Sequence, residues 1–260
     1  MGRSILAEKG PVIEFSYMPR AFIGCSGFSY QHWRGVFYPQ GLAMGKWLGY
    51  YAEKFGTVEL NVTFYRLPQE GAFKKWASET PQDFCIALKG SRFITHIRRL
   101  REPEEALQRL MERAGLLGRK LSVFLWQLPP GFKADPGRLE GFLKALGPYR
   151  RYRHTFEFRE ASWISPRVEE LLRQHNAAFC MADWPPFVDE LPLTADFVYI
   201  RRHGRGGSYS SCYSSEELKA DARRIRGYLR KGKDVYIYFN NDAFGYAPQN
   251  ALELKRLLKA

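Results

Sequence analysis

The stretch TVELNVTFYRLP, residues 57–68, alternates strictly: Val58, Leu60, Val62 and Phe64 on one face, Thr57, Glu59, Asn61, Thr63 and Tyr65 on the other. A period of two is the signature of a β-strand. Its polar row carries a carboxylate, an amide, a hydroxyl and a phenol, which suits either a solvated face or the wall of a site. The segments around it decide between the two.

Apolar-rich segments recur at 22–27, 57–64, 84–90, 121–128, 154–159, 177–183, 197–204 and 234–242. Helical patterns separate most of them: KWLGYYAEKF, GAFKKWASE, PEEALQRLMERAGLLG, DPGRLEGFLKALG, SPRVEELLRQHN and SSEELKADARRIRGYLRKG, with QNALELKRLLK closing the chain. Ser165 followed by Pro166 marks one helix start, and Ser214 with Glu217 has capping-box spacing. Only the proline-rich WPPFVDELPLTAD follows the sixth strand, so no helix is expected there. Eight strands alternating with helices predict a TIM-type (β/α)8 barrel in one domain, residues 21–260, after an extension at 1–20. The alternative, an open doubly wound sheet, is weakened because no G-x-G-x-x-G follows the first strand. In a barrel the outer strand face meets helices. Val58, Leu60, Val62 and Phe64 then pack outward, while Glu59, Asn61, Thr63 and Tyr65 climb the inner wall. Glu59 is lowest, and needs an Arg or Lys partner from a neighbouring strand. It is either a structural ion-pair member or a base.

The 260 residues are 45% hydrophobic, ample for a core. No run of about 18 apolar residues is present, which argues against a membrane span, and the N-terminus lacks the apolar core of a signal peptide. Cys25, Cys85, Cys180 and Cys212 are widely spaced, so neither a disulfide framework nor a structural zinc site is expected, and a reducing cytoplasm fits best. The formal net charge of +13 biases encounters toward anions, either a small molecule or nucleic acid. A basic surface kept for solubility fits the charge as well. Oligomeric state is not legible.

Active sites of such barrels lie at the carboxyl ends of the strands. Strand two offers Glu59, Asn61 and Tyr65; strand three Lys89; strand four Gln127; strand five Glu157 and Arg159; strand six Asp183; strand seven Arg201 and His203; strand eight Asn240, Asn241 and Asp242. Together they describe a polar bowl over an apolar plug. Glu59, Glu157, Lys89 and His203 are the catalytic candidates. Asn61, Tyr65, Gln127, Arg159, Arg201, Arg205, Asn240 and Asn241 are the substrate-binding ones. The glycine-rich loop HGRGGSYSS could cradle a phosphate with its amides. The aromatic loop SGFSYQHWRGVFYPQ is expected to pack as a lid, or else to stack on a base or sugar. The basic GSRFITHIRRLRE holds His96.

IGCSGFSYQHWRGVFYP, FGTVELNVTFYRLP, FITHIRRL, FLWQLPPGFKAD, FEFREASW, TADFVYIRRHGRGGSY and YIYFNNDAFGYAPQNA together resemble the YecE-like family, domain of unknown function 72. The resemblance runs from about residue 22 to the C-terminus. It implies a TIM barrel and no established reaction. Cys25 and Phe28 stand where threonine and tryptophan are expected in that pattern. Read in order, Glu157, Asp183, His203 and Asp242 are similar to the metal ring of xylose-isomerase-like barrels. Such a set would hold a divalent ion, manganese, magnesium or zinc, that polarises a carbonyl or activates water. Three functions follow: metal-assisted catalysis on a phosphorylated sugar or nucleic-acid-like substrate; metal-free acid–base chemistry by Glu59 and Glu157 on an anion held by Arg159, Arg201 and Arg205; and non-catalytic nucleic-acid binding.

Overall fold

The computed structural model describes residues 18–185 and 190–259. All eight expected strands form: β1 (Ala21–Cys25), β2 (Thr57–Leu60), β3 (Cys85–Lys89), β4 (Leu121–Gln127), β5 (Arg153–Glu157), β6 (Ala178–Ala182), β7 (Phe197–Arg202) and β8 (Asp234–Phe239). They pair in parallel in the order β1-β8-β7-β6-β5-β4-β3-β2. The remaining seam, β1 to β2, is stitched by a bridge between Ser26 and Glu59. There the Gly27 amide donates to the Glu59 carbonyl at 2.8 Å. Gly24 makes this approach possible, because a Cβ there would lie 2.4 Å from the Thr57 carbonyl oxygen. The sheet is thus a nearly closed barrel, and an open doubly wound sheet is excluded.

The helices are α1 (Trp47–Lys54), a single turn α2 (Val62–Tyr65), α3 (Glu70–Ser78), α4 (Glu104–Ala114), α5 (Pro136–Ala145), α6 (Pro166–Gln174), α7 (Ser215–Arg230) and α8 (Tyr246–Leu258). Ser165 caps α6, and Ser214 with Glu217 forms the reciprocal box at α7, as their spacing predicts. No helix joins β6 to β7 among the described residues. Most of the expected extension, residues 1–17, lies outside the described residues. Among the described residues, no helix is long and apolar enough to cross a membrane. The four cysteines are free.

Strand alternation builds two cores. Outward residues such as Val58, Leu60, Ile86, Leu88, Phe124, Trp126, Ile200 and Ile237 pack under the helices. Inward residues, among them Ala87, Val123, Leu125, Cys180, Phe197, Tyr199, Tyr236 and Tyr238, fill the barrel itself. At the amino end Arg153 donates to Asp234 at 2.6 Å and to the Tyr236 hydroxyl at 2.8 Å.

The opening stretch departs from expectation at Asn61. β2 ends at Leu60, Asn61 takes helical dihedrals, and residues 62–65 form α2. A helical turn rotates successive side chains by about 100° instead of 180°. Phe64, expected outward, therefore comes round beneath Lys89. Tyr65, expected on the inner wall, is 71% exposed. Thr63 is buried, its hydroxyl bonding the Lys89 carbonyl at 2.6 Å.

Candidate active site at the carboxyl end of the barrel

β2, β5 and β7 each send alternate side chains to the axis, and this brings Glu59, Glu157, Arg159, Arg201 and His203 together. All five are buried. Arg201 is the hub. One terminal nitrogen donates to Glu157 at 2.6 Å. The other donates to Glu59 at 2.8 Å and to the Ser26 hydroxyl at 3.0 Å. Glu59 also accepts from the Tyr199 hydroxyl at 2.6 Å and from Ser26. Its carboxylate is enclosed by donors, and the expected arginine partner is present. The two carboxylates thus flank a single guanidinium, which fills the space a shared substrate bond would need. Joint acid–base action by Glu59 and Glu157 is not supported.

Above this layer, Glu157 meets Arg159 and, at 3.2 Å, His203 Nε2. Burial alone would push the Glu157 carboxyl up, but Arg201, Arg159 and His203 together hold it well below the usual carboxylate range. Burial first, and then the Arg201 charge, lower His203, with Glu157 acting against them. Asn240 Nδ2 lies 3.1 Å from His203 Nδ1. Nε2 also lies 3.1 Å from an Arg159 terminal nitrogen, so three neighbours hold the ring.

The mouth is positive. Lys89 ends β3 with its ammonium 4.1 Å from the centre of the Phe64 ring, and no carboxylate or carbonyl among the described residues pairs with it. Burial, followed by the Arg201 charge, brings its pKa down to about 8, while Glu157 and Glu59 oppose. His96 packs edge-on to the same Phe64 ring with centroids 4.9 Å apart. Burial and then the charges of Lys89, Arg92, Arg159 and Arg99 hold it down to about 4. Arg159 lies under the Trp184 ring at 4.6 Å. Among the described residues, its buried Nε and the Oδ1 of Asn61 have no hydrogen-bond partner. Asn61 Nδ2 donates to Ser26 at 2.8 Å.

Several expected residues stand elsewhere. Asp183 accepts from the His203 amide at 2.8 Å and from the Tyr213 hydroxyl. Asp242 sits on the rim, 3.7 Å from His32. Glu157 and His203 are neighbours, but the four-residue metal ring is not assembled. No group of three or more His, Cys, Asp or Glu suited to a metal ion occurs among the described residues. Two arginines occupy the carboxylate that would have led such a ring.

Arg205 is exposed and grips Glu217 with two bonds of 2.9 and 2.7 Å. It serves α7 and does not reach the bowl. Asn241 is buried, but its Nδ2 bonds the Ser211 carbonyl and Asn250, tying the loop after β7 to α8. Gln127 is half-buried and bonds its neighbour's carbonyl at 3.3 Å.

The glycine-rich loop does not present a phosphate cradle. The amides of Gly204, Arg205, Gly207, Ser208 and Tyr209 are all spent on partners within the loop and its flank. The aromatic loop packs as a lid, with Trp33 and Tyr38 buried and Tyr38 stacked on Trp47 at 4.8 Å. Cys25 is buried in the outer core, so a hydroxyl there would not face the bowl.

Sequence reasoning missed Ser26 and Tyr199 around Glu59 and Trp184 at the mouth, and it named the basic loop with His96 without giving it a place in the site. Period-two counting back from Arg201 would have found Tyr199. A cleft of 570 Å³ opens at the opposite end of the barrel, lined by Arg150, Arg153, His154 and Asp196 among others. Its most enclosed cation, Arg153, is already paired with Asp234, so the volume lies away from the unpaired charge.

Comparison with known proteins agrees with this fold. The chain is 26% identical to the UPF0759 protein YunF of Bacillus subtilis, over 85% of this chain and 89% of that one. It is 30% identical to YecE of Escherichia coli K12 over a shorter region, 32% of this chain and 30% of that one. A crystal structure of a DUF72 family protein from Thermotoga maritima superposes with a TM-score of 0.83 at 31% identity, covering 93% of this chain and all (100%) of that one. A sugar phosphate isomerase/epimerase from Parabacteroides distasonis shares the fold at a TM-score of 0.53 and 11% identity, over 95% and 96% of the two chains. The profile described as "Protein of unknown function DUF72" matches residues 22–260, and the chain belongs to that family.

Proposed function

We propose that the bowl is an enzyme active site for a small anionic substrate, a sugar phosphate or similar compound. The observation that carries this is surplus positive charge. Lys89, Arg159 and Arg201 face Glu59 and Glu157, and among the described residues no carboxylate lies at ion-pair distance from Lys89. A half-buried charge without a counter-ion is costly. A substrate phosphate or carboxylate held at the open Nε of Arg159, with Lys89 alongside, would supply one, and the same cations add to burial in lowering His96. Perturbed groups at the carboxyl end of a barrel favour catalysis over simple binding. In this scheme Arg159 holds the anion, the unpartnered oxygen of Asn61 accepts from a substrate hydroxyl, and Glu59 and Arg201 are the rigid floor. His203, locked between Asn240, Glu157 and Arg159, is a positioning residue.

The test is thermal unfolding with inorganic phosphate, with glucose 6-phosphate and with glucose, at matched ionic strength, on wild type and Arg159→Gln. Phosphates at about 100 times Kd should stabilise the wild type by about 2.7 kcal/mol. Glucose should do nothing, and Arg159→Gln should lose most of the shift. Equal responses to phosphate and chloride would overturn the proposal.

A second function has its own support. Tyr65 and Phe93 are 71% and 42% exposed at the rim, and Arg98 lies over Phe93 at 5.5 Å. Single-stranded nucleic acid stacks on such pairs. Salt-sensitive retention of an oligonucleotide that needs Phe93 and ignores Arg159→Gln would favour binding over catalysis.

A further inference from the structure

We propose that Lys89 is an amine nucleophile that forms an imine with the carbonyl carbon of an anionic aldehyde or ketone bound in the bowl; this rests on the anion-binding function proposed above.

The contrast with the other partly enclosed lysines carries the inference. Lys120 donates to the Thr80 carbonyl at 2.6 Å and to its hydroxyl at 3.0 Å. Lys233 caps the Ala195 carbonyl at 2.7 Å, and Lys255 caps that of Lys54 at 2.7 Å. Each settles its ammonium on fixed oxygens, as a structural lysine does. Among the described residues, Lys89 settles on none. It is half-buried, stands on the apolar face of Phe64 and points into the mouth where substrates enter a barrel.

The stem is held firmly. The Lys89 carbonyl accepts from Thr63 at 2.6 Å, and the next amide, of Gly90, donates to the Leu125 carbonyl at 2.8 Å. A lysine on an apolar wall beside other cations is the usual arrangement for amine catalysis. A shift from 10.5 to about 8 leaves roughly a tenth of the amine neutral at pH 7, about 300-fold more than an unshifted lysine. Arg159 carries the anion, which leaves the amine for the carbonyl.

The step balances without a further reactant. The Lys89 nitrogen lone pair attacks the carbonyl carbon, a C–N bond forms, and the carbonyl oxygen takes a proton to give a carbinolamine. The nitrogen then loses one proton, the hydroxyl takes a second and leaves as water as the C–O bond breaks and C=N forms, and the resulting iminium gives up the last nitrogen proton. An imine and one water result. His96, neutral and edge-on to the same ring, is a proton acceptor beside the amine.

Reductive trapping tests the inference. The wild-type chain is treated with glyoxylate, an anionic aldehyde, and separately with neutral glycolaldehyde, each with cyanoborohydride at pH 7, and modified lysines are located by peptide mass spectrometry. Glyoxylate should label Lys89 about tenfold faster than exposed lysines such as Lys219, with phosphate slowing the reaction, and glycolaldehyde should label it less. Equal labelling of Lys89 by both aldehydes, without protection by phosphate, would uphold the amine and overturn the anion pocket. Lys89 labelling no faster than Lys219, with the phosphate-induced thermal shift intact, would overturn the imine and leave the pocket. Lys89→Arg keeps the charge and should abolish the fast site while folding normally.

Discussion

The two ends of the barrel bury arginines in opposite ways. At the amino end Arg153 meets Asp234, Tyr236 and, at 3.7 Å, Asp196. It is also 25% exposed, so water shares the burden. At the carboxyl end Arg201 is 1% exposed and bridges two fully buried carboxylates, with Lys89 and Arg159 stacked above as further cations. One end pairs its charges and serves stability. The other leaves Lys89 without an ion-pair partner among the described residues, which stability alone does not require. Buried ion pairs mark structure as often as function. The lesson is to look for the charge left over after pairing, here Lys89, and not for the deepest pair.

Breaking the hub should produce the largest effect. Arg201→Met strands Glu59 and Glu157 in the interior and should cost about 3–5 kcal/mol in urea unfolding. The same change at Arg153 should cost less, because solvent screens it. Equal costs would erase the distinction between the ends. A smaller effect of opposite sign is expected at Lys89. Its pKa is about 8 in the fold and 10.5 in the unfolded chain, so the unfolded chain binds more protons between those values and stability rises with pH across that window. Below pH 8 the protonated amine destabilises the fold in full. Lys89→Met should therefore gain up to about 3 kcal/mol at pH 7, a gain that fades as the pH approaches 10.5. A destabilised Lys89→Met at pH 7 would make the lysine a structural residue.

The fold was legible because eight apolar segments repeat with helices between them, which suits a (β/α)8 barrel in count and length. The inner wall was legible wherever a strand kept its period of two. Glu59 and Asn61 at the end of β2, Glu157 and Arg159 at the end of β5, and Arg201 and His203 at the end of β7 were found by alternation alone. Legibility ended where the backbone left the strand. Asn61 turns helical, and the polar row past it scatters, so Tyr65 reaches solvent while Phe64 swings to the mouth. Asp183 and Asp242 read as ligands because they follow strands, but each is turned by a rim contact that no local pattern encodes, Tyr213 for one and His32 for the other. Arg205 lies twelve residues before Glu217, and only the closed loop brings them together. Substrate class was not legible, since +13 suits a phosphate sugar and an oligonucleotide equally.

The most direct measurement is an NMR titration of the Lys89 side chain in isotopically labelled protein, with and without inorganic phosphate. The surplus-charge account predicts a midpoint near 8 in the free protein, moving upward when phosphate binds, because a neighbouring anion favours the ammonium. A midpoint at the ordinary lysine value, unmoved by phosphate, would contradict it.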